Sequence, residues 1–179
     1  MLGTETAGFR DEPAKGRRRR RAALSGAVAT LLLVVPATAS ATIIPQRGML
    51  GVELGDSVRQ VRAQLGAPDT DGGYRPGPVI NRTFTYRRGK AIVSFHGAGR
   101  GAHVIQMVTR SRRERLANGV GVGTTKDDLI RKMPALTCPV DESHCYLGRI
   151  GEPGRRVTDF NLDRDGVVVA VEIARLPDE

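Results

Sequence analysis

Two of the three histidines in the chain, His96 and His103, lie close together in the sequence. They flank the short segment GAGRGA, which is typical of a hairpin connection, so the two imidazoles could face each other across a strand pair. Two imidazoles on one sheet face can ligate a metal ion. Histidines at a hairpin end are more often solvated surface residues, and this is the interpretation we favour. The sequence therefore predicts no metal site.

An enzyme would need a nucleophile with a base, or a pair of carboxylates placed for acid–base chemistry. Ser94 and His96 are neighbours on one predicted strand, and no segment with oxyanion donors accompanies them. Asp127 and Asp128 lie at a predicted helix start, where carboxylates cap the helix or are solvated. We therefore predict a non-enzymatic protein with no catalytic residue and no cofactor.

The segment GVGVGTTKDDLI at 119–130 has glycines at alternate positions before a predicted helix, as some phosphate-binding loops do. A phosphate loop ends in G-K-[ST], but here two threonines separate Gly123 from Lys126. The segment GVELGDSVRQVRAQLG at 51–66 aligns with it at a constant offset of 68 residues, and it carries Glu53, whose charge would repel phosphate. We interpret both segments as tight turns into a helix and predict no nucleotide site.

The same offset predicts an internal duplication. Runs that alternate apolar residues follow each helix: RTFTY, KAIVSF and HVIQMVT in the first half, and HCYLG, RVTDFNL and GVVVAVEIA in the second. The predicted fold is α+β, with two tandem units. Each unit is a short helix (or helix pair) followed by an antiparallel sheet of three or four strands, and the sheets lie side by side with the helices on one face. The predicted segments are a lead-in at 42–47, unit 1 at 48–110, a basic linker at 111–117 and unit 2 at 118–179.

Residues 1–41 are predicted to be a secretory signal peptide. Arg17–Arg21 precede an apolar run that has no charge before Arg47, and small residues in an A-x-A pattern favour cleavage after Ala41, with Ala39 as the alternative. No cysteine lies near this site, so no lipid anchor is predicted, and the Sec and Tat routes both stay open. Contact with a membrane is expected only if the segment is not cleaved. Removing seven of 28 basic and three of 19 acidic residues leaves a net charge of +5.

Cys138 and Cys145 are the only cysteines in the chain. In an exported protein such a pair predicts a disulfide, which would stabilise the fold by roughly 2–2.5 kcal/mol through the entropy of a short closed loop. A metal site would need more ligands, and only Asp141, Glu142 and His144 are near. We therefore predict a disulfide in a secreted or extracytoplasmic protein.

The pattern G-V-x-x-G-[DT]-[ST]-x-x-x-[VL] occurs at both predicted helices, and the segment YRRGKAIVSF follows the first. Together they resemble the tandem-repeat beta-lactamase inhibitory proteins, and they are also similar to the SmpA/BamE-type envelope lipoprotein domain, which is one such unit. The resemblance covers about 48–175. It implies that the strands of both units form one concave sheet, and in the inhibitors this face grips a protein partner.

The predicted function is a secreted module that binds a protein partner in the envelope or outside the cell, as an inhibitor or an assembly adaptor. Strand alternation predicts which apolar residues of the last strand face the helices: Val167, Val169, Val171 and Ile173. The opposite face is predicted to carry the binding residues Tyr86, His96, His103, Asp159, Asn161 and Glu172.

Surface arginines give an alternative function, the binding of a polyanion or a membrane surface. The arginines concerned are Arg82, Arg87, Arg88, Arg110, Arg112 and Arg113. Scattered arginines are more often simply solvated, and no aromatic platform accompanies them, so no nucleic-acid partner is predicted. A metal-binding or hydrolytic protein is the least favoured alternative.

Overall fold

A computed structural model of the chain describes residues 42–75, 80–140 and 143–178. The predicted signal peptide and its cleavage site at Ala41 lie outside these ranges. No helix within the described ranges has the length and apolar character needed to cross a membrane.

The described residues form two helices and two antiparallel sheets, which confirms the α+β class. The helices are α1 (Val58–Leu65) and α2 (Lys126–Lys132). The small sheet contains β1 (Ile43–Ile44), β2 (Gly48–Met49) and β3 (Val52–Glu53). The large sheet contains β4 (Thr70–Asp71), β5 (Arg82–Tyr86), β6 (Ala91–His96), β7 (His103–Thr109), β8 (His144–Leu147), β9 (Arg156–Leu162) and β10 (Val168–Arg175).

The large sheet has the strand order β4-β5-β6-β7-β10-β9-β8, and all neighbours in it are antiparallel. The strands of the first half lie on one side and those of the second half on the other. They meet at the β7–β10 pair, where Met107 is opposite Ile173 and Thr109 is opposite Val171. The two halves therefore follow the same order of elements and share one continuous sheet.

One face of this sheet forms the main core. Because successive side chains of a strand point to opposite faces, the strand register defines which residues share a face. A row across five strands on the inner face is almost fully buried: Phe84, Val93, Met107, Ile173 and Thr158. Val61 of α1 and Leu129 of α2 belong to the same apolar cluster, so both helices cover this face.

The two helices begin in the same way. Ser57 caps α1 in a capping box, in which its hydroxyl accepts the backbone N–H of Gln60 and the Gln60 side chain accepts the N–H of Ser57. Thr125, which lies 68 residues later, caps α2 by accepting the N–H of Asp128 at 3.3 Å.

Glycines in the preceding turns attach each helix start to a strand of the large sheet. Gly55 and Gly123 have φ values of 96° and 90°, a conformation that glycine adopts without steric cost. The N–H of Gly55 donates to the carbonyl of Val104 at 2.8 Å, and that of Gly123 donates to the carbonyl of Val168 at 2.7 Å. The glycine-rich segments thus fix the helices against the starts of β7 and β10.

The predicted lead-in is part of the core rather than a peripheral extension. Ile43 is buried, and the N–H groups of Thr42 and Ile43 both donate to the Arg115 carbonyl, at 2.9 and 3.1 Å. The N–H of Gln46 donates to the hydroxyl of Thr158 at 2.7 Å. This N-terminal segment therefore bridges the linker and the second half of the large sheet.

The prediction for the last strand is wrong at Val169, which is 43% exposed. A β-bulge after Val168 shifts the register of β10 against β9 by one residue. Upstream of the bulge the alternation is reversed, so Val168 is buried while Val167 is only half-buried. Val171 and Ile173, downstream of the bulge, are buried on the inner face as predicted.

Cys138 and Cys145 form the predicted disulfide, with their Cα atoms 4.2 Å apart. Two hydrogen bonds between the backbones of Thr137 and Tyr146, at 2.8 and 2.9 Å, support the same contact. Together they fasten the connection after α2 to β8, the strand at the edge of the sheet.

Candidate functional site

The face of the large sheet that points away from the helices is the candidate site. We call its central register row the outer row, and it takes one residue from each of six strands: Thr85, Ile92, Val108, Glu172, Asp159 and Tyr146. All six side chains are half-buried, whereas the inner row on five of these strands is almost fully buried. Among the described residues, no element covers this face as the helices cover the other.

The outer row is apolar in the first half of the sheet and polar in the second. Ile92 and Val108 are register partners on β6 and β7. Glu172 and Asp159 are register partners on β10 and β9, so two carboxylates occupy directly opposed positions. Glu172 also accepts a hydrogen bond from the Gln106 amide at 2.7 Å. The outer face therefore places a local negative charge beside an apolar stretch, on a chain that is basic overall.

Five of the six predicted binding residues lie on the outer face. Asp159, Asn161 and Glu172 have alternating positions on β9 and β10 that place them there, and all three are half-buried. His96 and His103 are register partners at the closed end of the β6–β7 hairpin on this same face. The structure thus groups residues from both halves of the chain.

The predicted placement of Tyr86 is wrong. Tyr86 alternates with Thr85 and shares the inner face with Phe84, so it is only 5% exposed. Its ring packs edge-on against Phe84 with a centroid separation of 6.3 Å. The hydroxyl has no hydrogen-bond partner among the described residues, and burial raises the pKa of Tyr86 above its ordinary value. Tyr86 is a core residue.

Sequence reasoning missed four members of the outer row: Thr85, Ile92, Val108 and Tyr146. The signal for Ile92 is present in the alternation of KAIVSF, which places it on the face opposite to Val93. The other residues could not be aligned into a row from the sequence, because a row depends on the strand register across the β7–β10 pair. Strand alternation had placed Asp159, Asn161 and Glu172 on this face without giving their neighbours on the other strands.

The arginines of the alternative function divide into two groups. Arg82 pairs with Asp71, and Arg87 pairs with Glu114, so these two cations are already neutralised. Within the described ranges, no ion pair is formed by Arg88, Arg110, Arg112 or Arg113, and all four are exposed. The group available to a polyanion is therefore smaller than the sequence suggested.

Within the described ranges, no three His, Cys, Asp or Glu side chains are grouped to hold a metal ion.

Asp71, on β4, joins α1 to the edge of the large sheet. Its carboxylate accepts hydrogen bonds from Arg82 Nε at 2.9 Å and from Arg62 Nη2 at 3.0 Å. Both guanidinium groups lie over the ring of Phe84, that of Arg82 at 4.8 Å and that of Arg62 at 5.1 Å from its centroid. The hydrogen bond from Arg82 is the main cause that holds the pKa of Asp71 below its ordinary value.

Replacing Asp71 with Asn is expected to lower the free energy of unfolding by about 1 kcal/mol at pH 7, since the ion pairs are partly screened by solvent. Because the folded-state pKa is depressed, the stabilisation exists above the unfolded-state pKa of about 4 and is lost as the pH falls through the folded-state value. Urea unfolding of both proteins at pH 7 and at pH 2.5 checks this. Asp165→Asn, in an exposed turn, is the control. An Asp71→Asn effect that is equally large at both pH values would contradict the assignment.

The fold and this surface define an α+β protein with a seven-stranded sheet, of which the described helices cover one face. No known protein family and no curated protein sequence matches the chain. Two solved structures are similar to it. One is an extracellular protein containing a SCP domain from Bacillus anthracis, with a TM-score of 0.45, 13% identity, and coverage of 68% of this chain and 44% of that one.

The other is a DUF4309 family protein (YjgB) from Bacillus subtilis, with a TM-score of 0.43, 12% identity, and coverage of 77% of this chain and 90% of that one. The chain spans less than half the length of the first of these proteins. Similarities at this level carry no argument about the function of the chain.

Proposed function

We propose that this chain is a secreted, non-enzymatic module that binds a protein partner through the outer face of its large sheet. The supporting observation is the contrast between the two faces of the same strands. Inner residues such as Met107 are buried beneath the helices, whereas Val108, the next residue along β7, is only half-buried. A sheet face that combines apolar and charged side chains and that none of the described elements covers has the composition of a protein interface.

The chemistry of the outer row defines the kind of partner. The negative charge of the Glu172 carboxylate, whose register partner on β9 is Asp159, favours a partner that presents a cation. Ile92 and Val108 beside them supply apolar area. The complementary surface is a protein that presents a lysine or arginine side chain next to apolar residues.

The disulfide supports a location outside the cytoplasm, because such bonds persist mainly in oxidising compartments. Together with the predicted signal peptide and cleavage after Ala41, it favours export. The matched starts of α1 and α2, 68 residues apart, support the proposed duplication. An inhibitor-like or adaptor-like role on the pattern of the beta-lactamase inhibitory proteins or the SmpA/BamE-type domain is part of this proposal.

The proposal is tested with the full-length chain as bait against secreted and envelope proteins of its own source. We expect a saturable protein partner whose affinity falls at least tenfold with Glu172→Lys and with Val108→Asp, because both changes alter the outer row. Asp127→Lys on the exposed surface of α2 is the matched control and should bind as the unmodified chain does. Equal binding by all variants would overturn the proposed surface.

The exposed arginines at the end of the sheet favour one other function, polyanion binding. Arg110 is hydrogen-bonded through its N–H to the carbonyl of Lys90 at 2.8 Å, which brings two basic residues together near Arg88. If only anionic polymer is recovered, if it is released at moderate salt, and if Arg110→Gln weakens it while Glu172→Lys does not, the electrostatic function replaces the protein-binding one.

A further inference from the structure

The closed end of the β6–β7 hairpin brings two imidazole rings together. His96 and His103 are register partners, and their ring centroids are 5.7 Å apart with an interplanar angle of 77°. When each ligating nitrogen is about 2.1 Å from a tetrahedral ion, the centroids of two imidazole ligands are about 5 Å apart. The observed separation of the two rings is therefore close to the one that two imidazole ligands of a single ion would have.

A backbone contact orients the His103 ring for ligation. Its Nδ1 lies 3.0 Å from the carbonyl oxygen of Gly101, and because a carbonyl only accepts hydrogen bonds, Nδ1 carries the proton. In the neutral ring the lone pair is then on Nε2. This is the arrangement by which metal-binding histidines are usually held, with the second nitrogen donating to a carbonyl or a carboxylate.

The backbone on both sides of the pair is fixed before any ion binds. Gly97 has a φ of 89°, and a Cβ at this position would lie 3.0 Å from the Gly101 carbonyl oxygen, so the connection requires glycine. The N–H of Gly97 donates to the Asn81 side chain at 2.7 Å. On the other strand, His103 forms a β-bridge with Ser57, the cap of α1. Such preorganisation reduces the entropy lost when a ligand binds.

The second half of the chain has the same backbone arrangement without histidines. Thr125, the cap of α2, forms a β-bridge with Val167, as Ser57 does with His103. The N–H of Asp163 donates to the Val167 carbonyl at 2.9 Å, so Asp163 and Val167 occupy the place of the histidine pair. Because the second half forms this backbone arrangement with an aspartate and a valine, the fold does not require histidines at positions 96 and 103.

We infer that His96 and His103 form a two-histidine site for a divalent cation that prefers imidazole ligands, such as Zn²⁺ or Cu²⁺. Nitrogen ligands favour these ions over Mg²⁺ and Ca²⁺, which prefer oxygen. Both cysteines of the chain are in the disulfide, so no thiolate competes for the ion. Two water molecules complete the coordination. Arg175 lines a small pocket together with the two histidines. Its guanidinium group is paired with Asp178 at 2.7 Å, which limits its repulsion of the metal.

Isothermal titration of the untagged full-length chain with Zn²⁺ and with Cu²⁺ tests this inference. We expect one ion per chain, and at least a tenfold loss of association constant in both His96→Gln and His103→Gln. His144 is the only other histidine, and His144→Gln should change the constant less than twofold. An added Zn²⁺ concentration well above the dissociation constant should also raise the Tm, because only the folded chain presents both rings.

The Tm of each variant without metal shows whether its fold is intact. Mg²⁺ at the same concentration should give no shift in Tm. The inference is overturned if no ion binds, if His96→Gln or His103→Gln binds as the unmodified chain does, or if His144→Gln alone removes binding.

Discussion

Replacing Arg87 with Ala is expected to lower the free energy of unfolding by about 2–3 kcal/mol, one of the largest effects of any single exposed side chain here. Arg87 lies in the turn between β5 and β6 and forms an ion pair with Glu114 of the linker, whose side chain is only 3% exposed. Glu114 also accepts a hydrogen bond from the Thr109 hydroxyl at 3.4 Å. Without Arg87, a buried carboxylate would lose its counterion, which costs more than the ion pair itself contributes.

The neighbouring residue provides a matched control. Arg87 and Arg88 have φ values of 55° and 56°, a conformation that costs about 1 kcal/mol for residues other than glycine. Arg88→Ala keeps this backbone and removes no ion pair among the described residues, so we expect a change below 0.5 kcal/mol. Urea unfolding at pH 7 measures both. Adding Glu114→Gln to Arg87→Ala should recover part of the loss; an unchanged or larger loss in the double variant would contradict the explanation.

Replacing Ile43 with Ala is expected to lower the free energy of unfolding by about 2–4 kcal/mol, because the substitution leaves a cavity in the core. Ile43 is 1% exposed and packs in the same apolar cluster as Val61 and Leu129. Its N–H is hydrogen-bonded to the linker at Arg115. The effect should appear in urea unfolding and as a lower Tm.

Ile44, the next residue, is 46% exposed, and Ile44→Ala should change the stability by less than about 0.5 kcal/mol. The pair of variants separates burial from strand propensity, since both residues belong to β1. Similar effects of the two substitutions would contradict a role for Ile43 in the core.

The longer elements were predictable because each carries a complete local signal. The capping box of Ser57 and Gln60 marks the start of α1, and Val58, Val61 and Leu65 form one face of it. The segments RTFTY and RVTDFNL alternate long enough to define β5 and β9 at the observed bounds. The duplicated pattern also indicated that the two sets of strands would form neighbouring sheets.

The parts that the sequence did not predict depend on contacts between distant residues. The strands β1 to β4 have two residues each, which is too few for alternation to appear. The bulge at Val168 is set by pairing with β9. Tyr86 was predicted to lie on the binding face. It is two residues from Phe84 on the same strand, so both side chains point to the inner face and are buried in the core. The outer row needs the register of all six strands, which no single segment contains.

The N-terminal segment also has a consequence for the order of folding. The strands β5, β6 and β7 are consecutive in the chain and pair with one another, as do β8, β9 and β10. Each set of three can therefore form soon after its residues are available. Thr42 contacts Arg115, 73 residues later, and Gln46 contacts Thr158, 112 residues later. The N-terminal segment can therefore complete these contacts only once Arg115 and Thr158 are in place, and until it does, the side of the core that Ile43 covers stays open to solvent and to other chains.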